Sequence, residues 1–428
     1  MPSRIKTNLR VAAIPAAATL FILAAQVFRF PSALKDAATG EFLPGYSLEF
    51  PWGHLLSAPF SAWADQITFN SLAQHKVLLL YILLGFWAFL AWRKSSGERK
   101  ENAGPPLRRA VPGVLGAYAL YLAAALAFLS WAMLYPRPAA RLRLGSPEEL
   151  AVDFHSHTRY SHDGRASFTP RANLDWHRGM GFDAGFITDH NLAEGSEAAA
   201  ESWKGGEEYR PLRGVEISLH RTHVVVLGNR APIDNREYDG SLEGVKRFLG
   251  DCRKRFGGLP VLSLPEYWRH HWERLDEMAG WGAAGVEIAN GAPKALDFPR
   301  EKRREVVELC RRRNLFMAGV SDSHGWGRAA YAWSVMTIPA HRSMSPGGLE
   351  GAVLETLKRE GFNAVRVVER AKQEPLPLPW LLLDPLLGLW AMARAFTLAQ
   401  AAVSIAWLWA AWAAAGFLCR DDRHPKFH

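Results

Sequence analysis

Cysteine is scarce in this 428-residue sequence. Cys252, Cys310 and Cys419 form no CxxC pair and no even-numbered framework. No disulfide scaffold is indicated; Cys252 and Cys310 are expected as core thiols, with a single Cys252–Cys310 bridge as the alternative. Concentrated charge of one sign is also lacking. A net charge of +9 is modest for this length, and the arginines recur at the edges of apolar segments instead of forming a stripe. The charge pattern therefore indicates no nucleic-acid partner and points towards a membrane. Low-complexity sequence is missing too; the nearest thing to a linker is "PRPAARLRLGSPEE", covering 136–149.

Apolar length, by contrast, is plentiful, and many of the 17 tryptophans lie in or beside it. A helix needs roughly 20 apolar residues to cross a bilayer. Four runs come close or suffice, giving expected spans at about 11–30, 76–92, 112–135 and 395–418. Between 371 and 394 the stretch "PWLLLDPLLGLWAMAR" is interrupted by Asp384, Pro385 and Arg394, and it reads as an interfacial segment. A secretory signal is a rival reading of the first run alone, because "LAAQ" resembles a cleavage site. Short-loop charge orients the spans. Arg4, Lys6 and Arg10 precede the first, and the 93–110 loop carries Arg93, Lys94, Arg99, Lys100, Arg108 and Arg109. The longer 29–76 connection has only Arg29, Lys35 and Lys76. Positive loops stay in the cytoplasm. The expectation is an integral protein of a bacterial inner membrane. Both termini, including the 419–428 tail, would be cytoplasmic, and one large periplasmic domain would lie between the third and fourth spans.

Over 150–370 the pattern changes. "LAVDFH", "GFDAGFITDH", "LRGVEISL", "THVVVLG", "LPVLSL", "AAGVEIAN" and "LFMAGVSDSH" have the look of strands. "PRANLDWHRGM", "SLEGVKRFLGDCRKRF", "YWRHHWERLDEMAGW" and "PREKRREVVELCRRR" have helical period between them. Such alternation predicts an α/β fold with a parallel sheet, for which a barrel is the natural closed form. Barrel enzymes gather their working groups where strands end. Here the runs end in His155 and His157, in Asp189 and His190, in Glu216, and in Asp322 and His324. Desolvated groups of this kind repel one another unless a cation sits among them.

"DFHSHTRYSHDG", "GFITDHN", "GVEIS" and "GVSDSHG", in that order over about residues 150–330, resemble the motifs of the PHP (polymerase and histidinol phosphatase) superfamily. HxH alone says little; the four in sequence are specific. The resemblance implies a distorted (β/α)7 TIM-like barrel holding two or three Zn, Mn or Fe ions that activate water against a phosphoester. Carried over, it makes His155, His157, Glu216 and Asp322 ligands of a first ion. Glu216 would bridge to a second ion held by His223, and His190 and His324 would take a third with Asp163 or His162. Asp153 and Asp189 would accept imidazole N–H bonds and fix tautomers. His324 or Asp189 would assist proton transfer. Imidazoles and carboxylates without thiolates suit Zn, Mn or Fe.

One position departs from the family. Where members place a histidine before a proline, this chain has Leu264 in "LSLPEYW". The second ion would then recruit Glu266, His270 or His271, or be lost. Arg221, Arg269 and Arg328 lie beside motifs as candidate phosphate holders. Glu287 and Asn290 of "VEIANG" are expected at the rim or on substrate. Trp268 and Trp272, four apart on one helical face, would pack against the barrel or touch the bilayer. The expected activity is hydrolysis of a phosphomonoester or phosphodiester, on a phosphorylated small molecule or a lipid-like substrate. A non-catalytic sensory module that binds metal or ligand, and an amidohydrolase, are the alternatives.

Overall fold

The computed structural model describes residues 2–95, 107–327 and 329–421. It opens with α1 (Pro2–Val27), the short strands β1 (Leu34–Asp36) and β2 (Ser47–Glu49), and helices α2 (Trp52–Leu56) and α3 (Ala58–Thr68). Two long apolar helices follow, α4 (Leu72–Ser95) and α5 (Leu107–Leu134), and then β3 (Arg141–Arg143), which pairs with β2.

The domain proper starts with β4 (Glu149–Asp153), α6 (Pro170–Met180), β5 (Ala184–Ile187), α7 (Glu194–Ser202), β6 (Arg210–Leu219) and β7 (Thr222–Leu227). It continues through α8 (Leu242–Lys254), β8 (Leu259–Leu262), α9 (Leu264–His270), α10 (Leu275–Gly280), β9 (Gly285–Asn290), α11 (Arg300–Arg313) and β10 (Phe316–Val320). It closes with β11 (Ala332–Thr337), α12 (Pro346–Glu360) and β12 (Arg366–Arg370). Local signals account for the helix ends. Thr169 accepts from Ala172 N ahead of Pro170, and Gly181 closes α6 at φ 86°. Ser241 caps α8 in the same way.

Ten strands form one curled sheet in the order β1-β12-β11-β4-β5-β6-β7-β8-β9-β10. Buried at every position, β5, β8 and β10 read as continuous apolar runs because both faces are covered, while the equally buried β9 carries Glu287 and Asn290 inward. The all-parallel expectation needs correction. β4, β5 and β6 run parallel, as do β8, β9 and β10, but β7 is antiparallel to both β6 and β8. β6 and β7 are joined by only His220 and Arg221, both at positive φ (46° and 57°), and a two-residue turn can only reverse the chain. β11 likewise lies antiparallel to β4 and β12. The result is a mixed, partly closed barrel rather than a regular (β/α)7 one. At the seam Ser334 of β11 reaches β10: its Oγ accepts from Gly319 N and donates to Gly319 O, both at 2.9 Å. At the centre of the core Phe154 packs on Phe186 and Phe316.

The chain ends in α13 (Asp384–Arg394) and α14 (Leu398–Asp421). Among the described residues three helices are long and apolar enough to cross a membrane: Leu72–Ala91, Gly113–Leu134 and Leu398–Ala415. The first apolar run is helical as well, but its apolar part, Ala12–Val27, falls short of that length and packs on α14. The 29–76 stretch is more than a connection between two apolar helices. β1 extends the sheet by pairing with β12, Leu34 opposite Arg370. From α3, buried Asp65 meets Arg137 Nη1 at 2.5 Å, His54 Nε2 at 3.2 Å and Arg370 Nη1 at 3.5 Å. Burial alone would raise the Asp65 pKa, yet Arg137, His54 and Arg370 hold it well below the usual carboxylate range. The fold's edge therefore includes residues far ahead of 150. Cys252 and Cys310 are buried free thiols, as composition suggested.

Candidate metal centre

The ends of β4, β5, β6, β7 and β10 bring their polar groups to one place. His155 and His157 Nε2 lie 3.0 Å apart. Glu216 Oε2 is 3.2 and 3.3 Å from them, and Asp322 Oδ1 is 3.6 and 3.3 Å away. The other nitrogen of each ring is already engaged: His155 Nδ1 with Glu287 Oε1 at 2.7 Å, His157 Nδ1 with Ser161 Oγ at 2.8 Å. Two imidazole lone pairs at such a distance repel unless something positive lies between them. Ligands at 2.0–2.1 Å around a tetrahedral cation would stand about 3.3 Å from one another. The donors here stand at that spacing, so type and placement both fit a divalent ion.

Two neighbouring groups adjoin this one. Glu216 Oε1 is 3.0 Å from His223 Nδ1 and its Oε2 is 3.0 Å from His190 Nδ1, yet neither buried oxygen receives an aligned hydrogen bond. That is a carboxylate placed to bridge. Asp163 Oδ2 lies 3.5 Å from His190 Nε2 and 3.2 Å from His324 Nε2, while the exposed His162 ring stands 4.9 Å from His190. His155, His157 and Asp322 form one potential metal group; His190 joins Glu216 and His223, or His157 and His324, or His162 and Asp163.

The electrostatics of the cluster favour positive charge. Burial opposes charging His155, but Glu216, Asp322 and Glu287 lift its pKa well above the ordinary value. Against the same burial, Glu216 lifts His223, and Asp163 with Asp322 lifts His324, each to about 9. His157 goes the other way, pushed down to about 3 by burial and the His324 charge.

Surrounding groups hold the donors. Asp322 sits at φ 47°, a strained position for a non-glycine residue, fixed by its N–H donating to His155 O. Asn290 Nδ2 donates to Glu287 Oε2 and Asp322 Oδ2, so it orients carboxylates where substrate contact was expected. Glu287 was expected at the rim as well; it is wholly buried and fixes His155. Asp153 does accept an imidazole N–H, but from His177, a residue that strand-end reasoning passed over. Asp189 accepts from Thr158 N and Oγ1 and from Ser161, which in turn holds His157. Its carboxylate thus reaches the imidazoles through Ser161, and its carbonyl accepts from Glu216 N at 3.3 Å.

The basic candidates fare differently. Arg221 is exposed at the tip of the β6–β7 turn, where backbone reversal put it. Arg269 binds the Lys294 carbonyl and Asp297. Arg328 lies outside the described residues. Lys294, which sequence reasoning missed, lines the cavity instead. Leu264 is buried in the core and donates its N–H to Glu287. Two residues on, Glu266 reaches to 3.8 Å from His223 Nδ1, and burial pushes its pKa up to about 7. His270 is exposed, and His271 faces the His220 carbonyl. The Trp268 and Trp272 rings meet at 5.4 Å against Phe298, although the helix breaks at His271 between them.

Above the cluster opens a cavity of about 290 Å³. Its walls include Thr68 and Phe69 from the end of α3 and Met133 from the end of α5. No family model matches the chain, and no curated protein is similar to it. Solved structures are. One is a two-domain protein from Bacteroides vulgatus containing a domain described as a PHP-like metal-dependent phosphoesterase, 20% identical, with a TM-score of 0.36. The match takes in 50% of this chain and 63% of that one, so this chain spans less than two thirds of its length. An amidohydrolase from Chromobacterium violaceum is 20% identical, matching 47% of this chain and 96% of the other at a TM-score of 0.32. A lesion-specific endonuclease from Pyrococcus furiosus is 11% identical over 51% of this chain and 57% of its own, at 0.37. Likeness of this degree leaves the function to be read from the side chains themselves.

Proposed function

We propose that this protein is a membrane-anchored, metal-dependent phosphoesterase that hydrolyses a phosphomonoester or phosphodiester on the periplasmic side. The observation that carries the reading is the Glu216 carboxylate, buried with imidazoles on both of its oxygens and no aligned donor to either. His155, His157, Glu216 and Asp322 would hold one divalent ion. Glu216, His223 and Glu266 would hold a second, with Glu266 serving where Leu264 cannot. Bound there, the ions would polarise phosphoryl oxygens and make water acidic enough to attack near neutral pH. Lys294 binds the phosphoryl group from the cavity wall. His324, held at Nδ1 by the Asp322 carbonyl, turns Nε2 towards Asp163. It would complete a third ion site or, with two ions bound, pass a proton to the departing oxygen.

The test uses the full chain in detergent, because a fragment starting near 145 would lose β1 and Asp65. With Mn or Zn added, p-nitrophenyl phosphate or its bis ester should be hydrolysed, and His157→Ala should abolish turnover without lowering the melting temperature of the metal-free protein. Tightly bound metal with no turnover of either ester would favour the binding-module reading that Leu264 suggests. Turnover of amides and not of esters would favour an amidohydrolase.

A further inference from the structure

We infer that the substrate is a phospholipid, its phosphate in the metal cavity and its chains among the apolar helices; this deepens the phosphoesterase reading and rests on it and on the membrane placement of α4 and α5. The loops that carry the site are tied to the ends of those helices. Pro293, beyond β9, accepts from Leu72 N at 3.2 Å, and Gly327, beyond β10, donates to Met133 O at 2.9 Å. Arg165 Nη1 donates to Leu134 O at 2.6 Å. The approach is tight: a Cβ on Gly327 would stand 2.8 Å from Thr68 Cγ2. The barrel mouth thus faces the level at which Leu72–Ala91 begins and Gly113–Leu134 ends.

A second, mainly apolar cavity of about 250 Å³ lies between α3, α4, α5 and α13, with Trp63, Leu78, Ile82, Leu386 and Leu389 in its walls and the polar Gln66, Gln74 and Asp384 at one side. One turn of chain separates the two. Thr68 and Phe69 line the metal cavity, and Asn70, the next residue, lines the apolar one. Trp326 at the mouth, and Trp380 and Leu382 ahead of α13, are exposed, as residues at a bilayer surface are. A water-soluble ester has no use for the second cavity. A lipid fills both, with cations and Lys294 around its phosphate and hydrocarbon around its chain. In the reaction, water oxygen bonds to phosphorus as the P–O ester bond breaks, and the departing oxygen leaves as an alcohol after taking a proton.

The test compares dioleoyl phosphatidic acid and dioleoyl phosphatidylglycerol with glycerol 3-phosphate and glycerophosphoglycerol, using the metal-loaded full chain in a phosphate-free detergent. Binding energy from the chains should favour the lipids by at least about 100-fold in kcat/KM. Ile82→Trp should pull that ratio towards one, and Leu389→Trp on the facing wall repeats the test if the first variant is poorly made. Equal turnover of the two series overturns this inference and leaves the phosphoesterase reading standing, as does turnover of neither while p-nitrophenyl phosphate or its bis ester is still hydrolysed; turnover of none of these esters overturns both. Without metal, a diazirine-bearing phosphatidic acid should label peptides containing Leu78 to Ile82 or Leu386 to Leu389. Labelling no stronger than that by a diazirine fatty alcohol would count against the inference independently of activity.

Discussion

Glu287 touches no metal position, yet it decides which nitrogen of His155 can reach one. By accepting from Nδ1 at 2.7 Å it leaves the Nε2 lone pair facing the cluster. Glu287→Gln should therefore weaken metal affinity by about 10- to 100-fold, read by competition with a chromophoric chelator; unchanged affinity would remove that role. His223 and His324 lose protons only near pH 9 when no cation is present. Metal and protons compete for the same nitrogens, so affinity should climb as pH rises towards about 9 and level off above it. Calorimetry in buffers of different ionisation heat should show protons released. Much of this was legible beforehand, since the ligand candidates are polar groups at the ends of apolar runs. The roles of Glu287 and Asn290 were not, because "VEIAN" says that they share a strand and not which imidazole or carboxylate lies across the barrel.

At the level of the element, a two-residue turn does most to make this barrel irregular. His220 and Arg221 both adopt left-handed backbone, which favours glycine and asparagine. Arg221→Gly should relieve up to about 1 kcal/mol of strain and leave hydrolysis unchanged, measured as melting temperature and turnover side by side. A fall in turnover would return Arg221 to the site. The seven strands expected from apolar runs coincide with β4 to β10. β1, β11 and β12 escaped notice: β1 is three residues with two charges, and β12, "RVVER", reads as polar. β1 and β12, at the edge of the sheet, are held by pairing with distant partners rather than by a local apolar pattern.

In the whole molecule, the Asp65 cluster ties the region between the first two apolar helices to the domain. Asp65→Ala would leave Arg137 and Arg370 buried without a counter-charge, a loss of about 3–5 kcal/mol. The folded-state pKa is depressed, so the stabilisation is complete above the unfolded value of about 3.9 and fades as pH falls below it. Wild type and Asp65→Asn should differ in melting temperature by a constant amount from about pH 5 to 8 and converge below about pH 4. A gap that persists undiminished at lower pH would assign the stabilisation elsewhere.

Period and residue type are local properties, and from them came the apolar helices, the strand–helix alternation and the polar groups at strand ends; the resemblance of four short motifs to the PHP superfamily added His223, Asp163 and His162 to the candidate ligands. Long-range contact decided the rest. His155 and Glu287 are 132 residues apart, and Asp65 and Arg370 are 305 apart. No local pattern encodes such a pairing. It is fixed by how the sheet curls and by where α3, α4 and α5 meet its rim, and these same contacts turn the barrel mouth towards the apolar helices.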